Sequence, residues 1–176
     1  MCVHYKKTIK GKIVVKKILS VLLASTFAVG MLAGCGGEKK DAAKSDVIKI
    51  GVFEPLTGAN GAGGNDELEG IKLANKLYPT ILGKKVELVV VDNKSDKVEA
   101  ANAAMVLAQK EKVNAVLGSW GSSLSMAGGP IFAEAKIPAV AVSATNPNVT
   151  KGNEHYFRVC FLDPFQGTVG ATYAFN

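Results

Sequence analysis

The chain reads as an α/β fold, an open parallel sheet with helices on both faces. Three observations predict it. Apolar, β-branched runs recur at residues 47–53, 86–91, 114–117 and 138–142, as strands buried in a sheet require. Segments with helical spacing separate them through short links, and such alternation builds parallel strands joined by right-handed crossovers. Two of the runs end in short polar stretches, Gly118-Ser119-Trp120-Gly121-Ser122-Ser123 and Ser143-Ala144-Thr145-Asn146-Pro147. Ligands of open α/β sheets lie at such strand ends.

Each element has its own justification. Residues 47–53 form the first strand, and the glycine-rich stretch 58–64 after it reads as a flexible loop over a crevice. Residues 67–78 are helical, with Leu68, Ile71, Ala74 and Leu77 on one face, and Pro79 ends them. Strand 86–91 is followed by Asp96-Lys97-Val98-Glu99, a capping box that opens a helix to about Lys110. Strand 114–117 leads to a weaker helix at 122–135, interrupted by Gly128, Gly129 and Pro130. Strand 138–142 follows, and residues 156–161 supply a fifth strand, with Cys160 as a small buried hydrophobe. In Asp163-Pro164-Phe165-Gln166 an N-cap precedes a proline at the first helical position, and the helix so announced runs to Asn176 without a stop signal. The arrangement is a Rossmann-like open parallel sheet.

Charge and cysteines narrow the function classes. The chain carries 21 basic and 15 acidic residues, a net charge of +6. Six of the lysines and none of the acids precede Cys35, so the remainder is neutral and has no footprint for a nucleic-acid backbone. That lysine-rich start and the apolar run from Ile18 to Ala33 read as a secretory signal peptide, residues 1–34. Leu32-Ala33-Gly34-Cys35 resembles the lipobox of bacterial lipoproteins, which implies cleavage before Cys35 and its lipidation. Residues 35–46 then serve as the lipidated cysteine and a flexible tether, and residues 47–176 as the folded unit.

Catalytic equipment is not legible. The glycine-rich stretch lacks the Lys-Ser/Thr of a phosphate loop, and Asp66 stands where a dinucleotide fingerprint needs its third glycine. Gly121-Ser122-Ser123 lacks the second glycine of a nucleophile elbow. Past the leader the chain has a single histidine, His155, in a polar loop, which with one cysteine is too few ligands for a metal. No cofactor is expected.

Binding has more support. Ser122 opens a helix, where unpaired N–H groups and the helix dipole favour a carboxylate. Ser143 and Thr145 offer oxygens to an ammonium, and Trp120 can wall a side chain. The same residues also fit a plainer account in which Ser122 and Ser123 cap a helix and Asn146-Pro147 makes a turn.

From about Ile48 to Asn176 the chain resembles the N-terminal lobe of type I periplasmic binding proteins, specifically the branched-chain amino-acid (Leu/Ile/Val) binding class of ABC transporters. The segments that carry the resemblance are Ile48-Lys49-Ile50-Gly51-Val52 with Leu56-Thr57-Gly58, Val91-Asp92-Asn93-Lys94-Ser95-Asp96, and Val116-Leu117-Gly118 with Ser122-Ser123. Ser143-Ala144-Thr145-Asn146-Pro147 and Arg158 with Asp163 and Gln166-Gly167 complete them. The resemblance implies a ligand-binding set of Trp120, Gly121, Ser122, Ser143, Ala144 and Thr145. Ser122 and backbone N–H groups hold the ligand's α-carboxylate. The Ser143 carbonyl and the Thr145 hydroxyl hold the α-ammonium, and Trp120 lines the side-chain pocket. Some members place an aromatic where this chain has Gly63. The family uses a second lobe as the other wall and as the source of the ammonium's acidic partner; the resemblance covers the first lobe only, and the chain is expected to be a truncated form without the second.

The resemblance thus implies an extracytoplasmic, lipid-anchored substrate-binding component of an ABC importer, not an enzyme. Its expected partners are an amino acid, branched-chain or related, and a permease–ATPase complex, with no nucleic acid. Its expected place is the outer face of the bacterial cytoplasmic membrane or the periplasm. A ligand-sensing lipoprotein of the same fold without transport, and a secreted Rossmann-type enzyme, are the alternatives.

Overall fold

In the computed structural model residues 46–176 are described; the leader, Cys35 and the tether up to residue 45 lie outside them. The elements in chain order are β1 (Val47–Glu54), α1 (Gly61–Leu77), β2 (Thr80–Ile81), β3 (Lys84–Asp92) and α2 (Lys97–Met105), which continues as a π-helical turn (Val106–Glu111). They are followed by β4 (Ala115–Gly118), α3 (Ser122–Glu134), β5 (Ala139–Ala141), a 3-10 turn (Pro147–Val149), β6 (Tyr156–Arg158) and α4 (Asp163–Phe175).

The strands lie in the order β2-β3-β1-β4-β5-β6. All neighbours are parallel except β2, which pairs antiparallel with β3. From β1 the chain steps to β3 on one side and then to β4 on the other. The order therefore reverses between β1 and β4, and a crevice opens at the carboxyl ends of those two strands.

Helices cover both faces, as the apolar runs require. One face buries Phe53 and Val116 under α2 and α3, with Leu107, Leu124 and Phe132 fully or almost fully enclosed. Phe53 and Phe132 meet edge to face, centroids 5.5 Å apart. Each such side chain contributes about 1.5–3 kcal/mol on burial. Alanines 100, 103 and 104 keep α2 thin enough to pack closely against α3. On the opposite face α1 lays Leu68 and Ile71 on Val52. Beside it an apolar trough of ≈ 320 Å³ remains open, lined by Ile50, Tyr78, Leu88, Leu117 and Val140 among others. Helix α4 has no buried residue.

Several expectations need correction. Helix α1 begins at Gly61, so most of the stretch read as a flexible loop is its first turn. Glycine is a poor helix former, but tertiary contacts override propensity here. Asn65 Nδ2 donates to the Leu56 and Gly61 carbonyls at 3.0 and 2.7 Å, and a Cβ at Gly64 would lie 2.0 Å from the Pro55 oxygen. Asp96 caps α2 by accepting from the Val98 and Glu99 N–H groups at 2.8 and 3.0 Å. Glu99 does not close the box, because its carboxylate turns to Lys94. Helix α3 runs unbroken through Pro130, which lies on its exposed face and offers no N–H to the preceding turn. Strand β6 ends at Arg158, so Cys160 lies beyond it and is half-buried rather than enclosed. Asp163 is the first residue of α4, with Leu162 at the N-cap position and no side-chain cap.

Candidate functional site

Because the sheet is parallel, Glu54 ends β1 beside Asp92 at the end of β3, and Phe53 pairs with Gly118 at the end of β4. The loops that leave these ends meet over the crevice. Asp92 pins the first of them. Its Oδ1 accepts from the backbone N–H groups of Leu56 and Thr57 at 2.8 and 3.3 Å and of Lys94 at 2.8 Å, and its Oδ2 accepts from the Thr57 hydroxyl at 2.6 Å. Burial pushes the Asp92 carboxyl up, but these hydrogen bonds to the ionised form outweigh it and hold the group below its ordinary value.

The β4 loop is held from beneath. Ser119 is buried; its hydroxyl accepts from Asn93 Nδ2 at 2.9 Å, and the Tyr156 hydroxyl donates to the Gly118 carbonyl at 2.7 Å. Gly121 takes φ 92° at the N-cap of α3, a conformation that favours glycine, and its carbonyl accepts from the Leu124 and Ser125 N–H groups. The N–H groups of Ser122 and Ser123 have no acceptor among the described residues. They form the positive end of the α3 dipole.

The two polar strand-ends come together as expected. The Asn146 N–H donates to Ser122 Oγ at 3.1 Å, which ties the β5 loop to the start of α3 and leaves the Ser122 hydroxyl hydrogen available to a ligand. Ser122, Ser143 and Thr145 are half-buried, Gly121 likewise, and Ala144 is enclosed. Arg158 supports the loop from β6: Nη1 donates to the Ala144 carbonyl at 2.5 Å, and Nη2 to the Asn146 carbonyl at 2.9 Å and to Thr150 Oγ1 at 3.3 Å. His155, by contrast, sits half-buried before β6 and shares no bond with this group.

Two carboxyls join the site that the strand-end motifs do not announce. Glu54 is fully buried, and its Oε2 accepts the Trp120 N–H at 2.6 Å. Glu67, on the second turn of α1, takes the Ser143 hydroxyl on Oε1. Burial, then the hydrogen bond and negative charge of Glu67, push the Glu54 carboxyl far above its ordinary value against the opposing pull of the Trp120 N–H. A Cβ at Gly118 would lie 2.4 Å from Glu54 Oε1, so the carboxyl needs glycine there. A usable signal exists in the sequence: a carboxylate directly after the apolar run Ile50-Gly51-Val52-Phe53 stands at the carboxyl end of the first strand, where the crevice opens. Among the described residues no group of three or more His, Cys, Asp or Glu side chains is placed to hold a metal ion.

The model of the periplasmic binding protein family matches residues 47–176. An amino acid binding protein of Pseudomonas aeruginosa is 35% identical over 138 residues, 76% of this chain and 37% of that protein. The crystal structure of a leucine binding protein from Thermotoga maritima is 47% identical with a TM-score of 0.71, covering 73% of this chain and 37% of its own. The branched-chain amino acid transporter substrate binding protein of Streptococcus pneumoniae, in complex with isoleucine, is 35% identical with a TM-score of 0.69, covering 72% and 37%. The chain thus spans less than two fifths of the length of these relatives. It belongs to the periplasmic binding protein family.

Proposed function

We propose that residues 47–176 form the first lobe of an extracytoplasmic substrate-binding component of an ABC importer, and that the lobe takes an α-amino acid, branched-chain or related. The observation that carries this reading is the bond between the Asn146 N–H and Ser122 Oγ, which joins the two polar strand-ends, those of β4 and β5, beside the switch point between β1 and β4. A carboxylate placed there meets the free N–H groups of Ser122 and Ser123 and the Ser122 hydroxyl, each charge-assisted bond contributing about 1.5–3 kcal/mol. In this reading the Ser143 carbonyl and the Thr145 hydroxyl, on the half-buried loop after β5, receive the ammonium. Trp120, with Gly121 at its back, supplies an apolar wall for the side chain. The relatives named above, an amino acid binding protein and a leucine binding protein, point the same way.

In this reading residues 1–34 direct export, Cys35 carries the lipid, and residues 35–46 tether the lobe to the outer face of the membrane. Helix α4, which buries nothing within the described residues, takes its packing partners from a second lobe. Closure of the two lobes encloses the ligand and presents it to a permease. Calorimetry of the chain against a panel of amino acids, amides and small carboxylates tests the proposal. Binding of leucine, isoleucine or valine, weakened by Ser122→Ala, supports it; no response to any member of the panel contradicts it.

A further inference from the structure

The Glu54–Glu67 pair is absent from the ligand contacts proposed above, and its geometry calls for a role. Glu54 has no exposed surface. Its Oε1 and the Oε2 of Glu67 are both buried without a partner, while the other oxygen of each is held, by the Trp120 backbone N–H and the Ser143 hydroxyl respectively. The ion pairs Lys49–Glu111, Lys72–Glu69 and Lys94–Glu99 involve neither carboxyl. The groups that face the pair are the Trp120 N–H from the β4 loop, the Ser143 hydroxyl from the β5 loop and, from β6, the buried Tyr156, whose hydroxyl is spent on the Gly118 carbonyl. Two facing carboxylates in such a place cannot both ionise. One proton between them satisfies both bare oxygens and leaves the pair with a single negative charge.

That charge lies against Ser143, at the end of the crevice where an ammonium is proposed to bind. An alkylammonium brings one positive charge and three donors, and it can take the place of the Ser143 hydroxyl on Glu67. A ligand with a carboxylate alone brings only repulsion. We infer that Glu54 and Glu67 act as one carboxyl pair sharing a single proton, which receives the ligand's ammonium and selects amine-bearing ligands over simple carboxylates. The inference rests on the amino-acid reading of the same crevice, and it places an acidic partner for the ammonium within this lobe.

Carbon-13 NMR of glutamate carboxyls in the chain, with leucine, isopentylamine and 4-methylpentanoate as probes, tests both halves. At neutral pH one glutamate carboxyl is expected to remain protonated, and its signal to vanish in Glu54→Gln. That variant keeps the local bonds, because the amide can accept from Trp120 and donate to Glu67. Leucine and isopentylamine are expected to shift the Glu67 signal, and 4-methylpentanoate to leave it unchanged. Glu67→Gln should weaken leucine about tenfold or more and admit 4-methylpentanoate. All glutamates ionised at neutral pH, or isopentylamine without effect, or 4-methylpentanoate binding as well as leucine, would overturn the inference. Isopentylamine binding without leucine binding would instead count against the amino-acid reading and leave the carboxyl pair standing.

Discussion

The indole of Trp120 occupies the space above Gly63. A Cβ built on Gly63 would lie 2.4 Å from two atoms of the ring. Gly63 stands on the first turn of α1 and Trp120 in the loop after β4, so the contact joins the segments that follow β1 and β4. Where some members of the family carry an aromatic on the first loop, this chain supplies one from the opposite side, and the glycine makes room for it.

Gly63→Ala tests that exchange. In a helix interior the change alone should stabilise by about 0.8–1 kcal/mol. With Trp120 in place the gain should be lost and the emission of this sole tryptophan should shift to the red. In a Trp120→Ala background the gain should return. Denaturant unfolding of the four variants measures the coupling; equal gains in both backgrounds would show that the ring does not rest on Gly63.

Arg158 holds the carbonyls of Ala144 and Asn146 together. Arg158→Met leaves two carbonyls of the ligand loop without their charged donor. A stability loss of about 2–3 kcal/mol is expected in urea, with weaker leucine binding through the loosened loop. A variant as stable as the parent would mean that the β5 loop holds its shape without the guanidinium.

Ser122→Ala separates anchoring from architecture. It removes the acceptor for Asn146 N–H, at a cost of about 1 kcal/mol, and the hydroxyl proposed for the ligand carboxylate. Leucine affinity should fall about tenfold to a hundredfold. Ser123→Ala, whose hydroxyl makes no bond within the lobe, should leave stability within about 0.5 kcal/mol of the parent. Thermal melting with and without leucine reads both terms.

The pH dependence of stability has two arms of opposite sign. Glu54 is held above its ordinary value of 4.5, so the folded chain keeps a proton that the unfolded chain loses from that pH upward. Its contribution is complete below pH 4.5 and declines as pH rises toward the folded value, with a slope of up to about 1.4 kcal/mol per pH unit. Asp92 is held below its ordinary value of 3.8, so its contribution is present above pH 3.8 and is lost as pH falls through the folded value. Glu54→Gln should flatten the first arm and Asp92→Asn the second in urea unfolding across pH. A slope unchanged by Glu54→Gln would contradict the burial of a protonated carboxyl there.

The order of strands and helices was legible because buried parallel strands must be apolar along their length, and Val86, Val116 and Ala139 mark theirs plainly. The convergence of Ser122 with the loop from Ser143 to Asn146 followed from the same logic. What the sequence hid depends on distant contacts. The start of α1 at Gly61 is fixed by Asn65 and Pro55, and no local propensity announces it. The pairing of Glu54 with Glu67 needs the crossover that brings α1 back over the end of β1. Strand β2 is two residues long, too short to show a period. Cys160 reads as apolar in a run that the sheet abandons at Arg158.

The most direct test of the account is a titration of the nitrogen-15-labelled chain with leucine, followed by amide chemical shifts, which register binding even at millimolar affinity. The account predicts saturable shifts clustered at residues 120–123 and 143–146 and at Glu54 and Glu67, matched by a change in Trp120 emission and reduced by Ser122→Ala. Shifts scattered away from the carboxyl ends of β4 and β5, or none with leucine, isoleucine or valine, would contradict it.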